Sequence, residues 1–150
     1  MNEQFKNALK MVAKTLNESG VDWVICGSTN FYLQGMDVSP RDIDVCIKHG
    51  DFSRVLELFS DFEFSEATDL SNGEGQERRF YINDVEVQIC ADYDFGFYYR
   101  QMSDPQNIVK LDFEGVEIPG LKLESELLCY KHLGRADKAD KIVEFIKNKL

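Results

Sequence analysis

Apolar residues at Phe5, Leu9, Val12, Ala13 and Leu16 follow the three-and-four spacing of one helix face, and Ser19-Gly20 ends that run. "DWVIC" is then a short apolar strand that stops at Gly27. Ser28 stands where a helix N-cap is wanted, so "TNFYLQG" is predicted as a short helix closed by Gly35. Beyond the loop "MDVSPR" comes "DIDVCI", which alternates strictly. Ile43, Val45 and Ile47 point one way; Asp42, Asp44 and Cys46 point the other. Asp51 is predicted to cap a further helix, "FSRVLELF". The stretch "SEATDLSNGEGQE" has no periodicity and is predicted as a mobile loop.

Two hairpins follow. "RRFYI" and "VEVQIC" flank Asn83-Asp84, and "IVKLDF" and "VEIPG" flank Glu114-Gly115. From about residue 124 to 150 the chain is helical, "ESELLCYKHL" and "ADKADKIVEFIKNKL" being separated by Gly134-Arg135. Strands joined partly by hairpins favour an α/β (α+β) architecture over a doubly wound parallel sheet. The expected core is a mixed, mostly antiparallel central sheet flanked by helices.

The 150-residue chain is long enough for one domain with a full core. Its net charge of −10 argues against gripping long nucleic acid by its phosphates. The charge is uneven: residues 131–150 hold six Lys/Arg against three acids, a local +3 that leaves −13 for the remainder. That basic end is a solvated face, or it supplies a few contacts to a small anionic ligand. No apolar run approaches the ~20 residues of a bilayer-spanning helix. The amphipathic N-terminus lacks the apolar core of a signal peptide. A soluble cytoplasmic protein with no membrane partner is expected. Cys26, Cys46, Cys90 and Cys129 form no C-x-x-C and read as reduced, mostly buried thiols.

Two carboxylates on one face of an apolar strand repel each other and resist desolvation, unless that face is wet or a cation sits there. "DVEVQIC" repeats the pattern, with Val85, Val87 and Ile89 opposed to Glu86, Gln88 and Cys90. Were the two strands neighbours, Asp42, Asp44, Glu86 and Gln88 would share a face. Oxygen ligands gathered in this way suit a hard cation such as Mg²⁺. Upstream, Gly27-Ser28 ends a strand and opens a helix, whose free N–H groups would suit a phosphate. Thirteen residues lie between Ser28 and Asp42. The aromatic stretch "DYDFGFYYR" serves either to stack a base or acceptor, or as a core edge.

The segment "VICGSTNFYLQGMDVSPRDIDVCI" resembles the signature of the nucleotidyltransferases of the DNA polymerase β superfamily. Their pattern is an apolar strand, Gly-Gly or Gly-Ser, a short spacer, then Asp-apolar-Asp/Glu in the next strand. The minimal and aminoglycoside-type prokaryotic members are closest in look. "YKHLGRADKADKI" looks like their lysine-containing helix, Gly-Arg break and Asp-rich following helix. The resemblance implies a nucleotidyltransferase fold, with transfer of a nucleoside monophosphate from an NTP to a hydroxyl group and release of pyrophosphate. It implies that Gly27 and Ser28 hold the triphosphate and that Asp42 and Asp44 ligate Mg²⁺ (or Mn²⁺). Lys131 and Arg135 become candidates for phosphate contact.

A third carboxylate, from a later strand, would complete the metal site and help activate the acceptor. Laying "VEVQI" on the family pattern puts Gln88 there. Its amide oxygen can ligate a metal, but it cannot act as a base. Glu86 is the favoured acid, with Asp92 and Asp94 as further candidates. A two-residue step along a strand is about 6.5–7 Å, so Glu86 substitutes only if register or a bulge shifts it. Two readings stand. One is a working Mg-dependent nucleotidyltransferase acting on a small molecule or a protein. The other is a catalytically degraded relative that binds nucleotide or acts through a protein partner, as an antitoxin-like module. A purely structural role leaves the pairing of Gly-Ser with Asp-x-Asp unexplained.

Overall fold

The computed structural model describes residues 1–149; Leu150, the end of the predicted last helix, lies outside them. The first helix, α1 (Glu3–Ser19), buries the predicted stripe from Phe5 to Leu16 and ends at Gly20 in the left-handed conformation. Strand β1 (Trp23–Cys26) is buried on both faces and leads directly into α2 (Gly27–Leu33). Strand β2 (Asp42–Lys48) then precedes α3 (Phe52–Leu58). Asp51 occupies the cap position of α3 but makes no capping bond through its side chain.

The polar stretch 65–77 is more ordered than its composition suggests. It contains the two-residue strand β3 (Thr68–Asp69) and the start of β4 (Gly75–Ile82). Glu74 pins it to the body: its carboxylate accepts from the Phe97 N–H at 2.7 Å and bonds His132 Nε2 at 2.7 Å. Strand β5 (Val85–Asp92) follows across a tight turn in which Asn83 and Asp84 both have positive φ, as a twist-matched hairpin needs. After α4 (Phe97–Met102), the second predicted hairpin forms β6 (Ile108–Phe113) and β7 (Val116–Leu121). Helices α5 (Leu123–His132) and α6 (Ala136–Lys149) close the chain.

The seven strands make one sheet in the order β3-β4-β5-β2-β1-β7-β6. β2 runs parallel to β5 and β1 to β7, while the other four pairs are antiparallel. One face packs on α1 and α3 through Ile43, Val45, Ile47, Val87 and Ile89, all with no exposure. The opposite face carries Val24, Cys26, Cys46 and Leu121 against residues of α4 and α5. Phe31, Leu123 and Ile142 join α2, α5 and α6 in a third cluster. All four cysteines are free, three buried and Cys90 half-buried. No helix among the described residues is long and apolar enough to cross a membrane.

Phe80 anchors the far end of the α3 face. It has no exposure, and the rings of Phe59, Phe62 and Phe64 lie 4.9–5.2 Å from it. Phe80→Ala is expected to lower unfolding free energy by about 3–5 kcal/mol through lost burial and the cavity left behind. Urea unfolding checks this, and a loss below about 1 kcal/mol would mean that the cluster is not cooperative with the sheet.

Candidate active site

Strand register assembles the site. Across the parallel β2–β5 pair, Asp42 stands opposite Glu86 and Asp44 opposite Gln88. One strand further out, Tyr81 lies opposite Glu86, Arg79 opposite Gln88 and Glu77 opposite Cys90. On the other side of β2, Cys26 faces Asp44. The sheet face therefore carries an outer row, Asp42–Glu86–Tyr81, and an inner row, Cys26–Asp44–Gln88–Arg79.

The inner row floors a cleft of about 490 Å³. Gly27, Asp44, Glu77, Arg79 and Gln88 line it, with Asp69–Asn72, Tyr98, Tyr130, Leu133 and Arg135 around the rim. Asp42 and Glu86 sit at the outer end, beyond that lining, with Asp42 exposed.

The β1–α2 junction closes on Asp44. Gly27 has φ +70°, and a Cβ there would fall 2.6 Å from Asp44 Oδ2, so only glycine permits the approach. The helix begins two residues earlier than the cap chemistry suggested. Cys26 is its N-cap, without a side-chain bond, and Ser28 falls inside the first turn. Thr29 Oγ1 donates to the Asp42 carbonyl at 2.7 Å, tying α2 to the head of β2. The Gly27 N–H is not free, as the sequence led one to expect. It donates to Glu126 Oε2 at 2.9 Å.

Electrostatics mark the acids as crowded. Burial, then the charges of Asp42 and Glu86, push Asp44 up to about 6. Asp42 is raised by burial and by Glu86. Arg79 opposes both shifts, bridging Glu77 at 2.9 Å and Glu86 at 3.3 Å. The Gln88 amide donates to Glu77. Carboxylates that raise each other's proton affinity hold a cation readily, and this donor set is all oxygen, as Mg²⁺ prefers. Among the described residues no three His, Cys, Asp or Glu cage a metal by themselves.

The structure separates the other candidates. Asp92 is 3% exposed and accepts from the Tyr99 N–H at 3.3 Å, so it caps α4. Asp94 is exposed on the following turn. Lys131 is exposed in the last turn of α5 and does not line the cleft. Arg135 does line it, with its guanidinium 3.3 Å from Asp137.

Sequence reasoning missed Glu77, Arg79 and Glu126. The first two were within reach: counting back across the Asn83-Asp84 turn puts Tyr81, Arg79 and Glu77 on the face of Glu86 and Gln88. Glu126 had a fainter signal, an acid at helical spacing between Leu123 and Tyr130.

The profile of the aminoglycoside-2''-adenylyltransferase family matches residues 8–144. A search among curated proteins finds no match. Among solved structures, the nucleotidyltransferase-type protein TM1012 of Thermotoga maritima superposes with a TM-score of 0.72 at 23% identity, covering 99% of this chain and 96% of that one. The antibiotic-resistance factor ANT(2'')-Ia gives 0.69 at 12% identity, covering 97% and 86%. The lincosamide antibiotic adenylyltransferase LnuA gives 0.60 at 12%, covering 89% and 93%. These likenesses establish the nucleotidyltransferase fold, and with the profile match over most of its length the chain belongs to the aminoglycoside-2''-adenylyltransferase family.

Proposed function

We propose that the protein transfers a nucleoside monophosphate from an NTP to a hydroxyl of a small molecule. The observation that carries this is the β2–β5 register, which runs without a bulge and sets Asp42 beside Glu86 and Asp44 beside Gln88 on a face that Gly27 closes. Asp42 and Asp44 would hold Mg²⁺ or Mn²⁺, which when bound neutralises phosphate charge and acts as a Lewis acid. Gly27 and Ser28 form the turn that receives the triphosphate, and Arg135 on the cleft rim supplies a positive charge to it. The acceptor oxygen bonds to the α-phosphorus, the bond from that phosphorus to the bridging oxygen breaks, and pyrophosphate leaves. The acceptor proton passes to a carboxylate, for which Glu86 is the choice.

The cleft has room for a small acceptor. Two structural neighbours were solved with such molecules, ANT(2'')-Ia with adenylyl-2''-tobramycin and LnuA with lincomycin. Asp69, Glu77 and Asp92 on the cleft wall favour an acceptor with basic groups. Gln88 opposite Asp44 supports a second reading, a nucleotide-binding relative without turnover that acts through a protein partner.

Two outcomes test the site. Calorimetry is expected to show MgATP or MgGTP binding that needs the metal and is lost in an Asp42→Asn/Asp44→Asn variant. Binding unchanged in that variant would remove the acids from the site. Pyrophosphate release with tobramycin or lincomycin as acceptor then separates turnover from binding alone.

The second outcome concerns stability. Asp44 holds its proton more tightly folded than unfolded, since its carboxyl rises from 3.8 to about 6. Its ionised form therefore costs stability in full above about pH 6, and the cost fades as pH falls from about 6 to about 4. Asp44→Asn is expected to stabilise the metal-free protein by about 1–3 kcal/mol near neutral pH, with no gain near pH 3. Urea unfolding at the two pH values checks this; a loss of stability at neutral pH would contradict it.

A further inference from the structure

Glu126 is the one carboxylate of the described chain with no exposure at all, and it lies directly beneath the β1–α2 junction. Its Oε2 accepts from the Gly27 N–H at 2.9 Å and from Asn30 Nδ2 at 2.9 Å, and its Oε1 accepts from the Tyr98 hydroxyl at 3.2 Å. Asn30 is itself held: its Nδ2 also donates to the Leu121 carbonyl at 2.7 Å, and its Oδ1 accepts from Gln34 Nε2 at 2.8 Å. The packing leaves no slack around this network. A Cβ at Gly120 would lie 2.6 Å from Asn30 Oδ1, just as one at Gly27 would lie 2.6 Å from Asp44 Oδ2.

A carboxylate so deeply buried is costly, and desolvation pushes Glu126 up to about 7. A helix side chain that only filled this space would be apolar. Three donors, two from α2 and one from α4, converge on Glu126 instead, and one of them is the amide of the glycine that touches Asp44.

We propose that Glu126 is a positioning residue, an internal acceptor that takes the Gly27 N–H and clamps the Gly27–Ser28 turn against Asp44 before any nucleotide arrives. The Gly27 amide is thereby a fixed point of the turn rather than a phosphate ligand. Phosphate contact is left to groups that stay free, with Ser28 next in the chain. Tyr98, on the cleft wall, braces the carboxylate from the opposite side. The structural half of this assignment stands alone; its functional half rests on the nucleotide reading above.

The test compares Glu126→Gln, which keeps an acceptor without the charge, with Glu126→Met, which keeps the volume and removes the acceptor. Two readings are taken on each variant and on the wild type: amide hydrogen exchange at Gly27 by NMR, and calorimetric affinity for MgATP alongside affinity for Mn²⁺ alone. In Glu126→Met, Gly27 exchange is expected to accelerate and MgATP affinity to fall at least about tenfold, the scale of leaving one buried donor without its acceptor. Mn²⁺ affinity should change little, and Glu126→Gln should restore both MgATP affinity and Gly27 protection to within about threefold of wild type. If Glu126→Met fails to fold, Asn30→Ala tests the same clamp from α2, with the same direction expected. Unchanged Gly27 protection overturns the proposal. So does faster exchange with MgATP affinity intact, which leaves Glu126 a packing residue only. Equal losses of MgATP and Mn²⁺ affinity overturn it as well. Should the wild type bind no MgATP, the nucleotide reading fails while Gly27 exchange still decides whether the clamp exists.

Discussion

The register of β2 on β5 is the constraint from which the site follows. A slip of one residue would turn Asp42 and Asp44 into the layer under α1 and α3 and bring Ile43 and Val45 to the cleft. The acids cannot hold that register, because they repel one another. Ile43, Val45, Ile47, Val87 and Ile89 hold it from the other side, all fully buried. The hydrophobic face is thus the clamp and the acidic face is what it clamps. This division explains why a strand so rich in β-branched residues tolerates two carboxylates.

Arg79 moderates the cost. It is placed by the β4–β5 hairpin opposite Gln88, where its guanidinium reaches Glu77 and Glu86 together. It therefore lowers the proton affinity of Asp42 and Asp44 without contacting either as an ion pair. The compensation is partial, since both acids remain raised. A site that fully neutralised its carboxylates from within would have little left with which to attract a cation, and this one stops short of that.

Most of the architecture was legible in the sequence because most of it is local. The α1 stripe, the two hairpin turns and the alternation of β2 and β5 are patterns within a few residues, and each appears where the spacing put it. The pairing of β2 with β5 could be posed from the repeated acid-bearing pattern but not settled, since a parallel pair has no turn to fix it. The errors have physical causes too. Ser28 carries a capping side chain, yet the turn is made by a left-handed glycine with Cys26 at the cap, because Asp44 leaves no room for anything else. The stretch 65–77 has loop composition, and its order comes from Glu74 contacts with Phe97 and His132 that no local pattern reveals.

Glu126 shows the same limit more sharply. From the sequence it is one of two acids in "LESELL", set apart only by Leu123 and Tyr130 at helical spacing on either side. Its partners come from residues 27, 30 and 98. What makes it informative is the combination of an apolar setting with complete hydrogen bonding: the described side chains leave no buried polar atom unpaired. A buried charge earns specificity only where each partner is fixed in turn. Here Asn30 is fixed by Leu121 and Gln34, and Gly27 by its contact with Asp44. The chain of contacts thus runs from the end of β7 through α2 to the acid pair. The site's geometry is set as much by α5, which carries none of its acids, as by the strands that do.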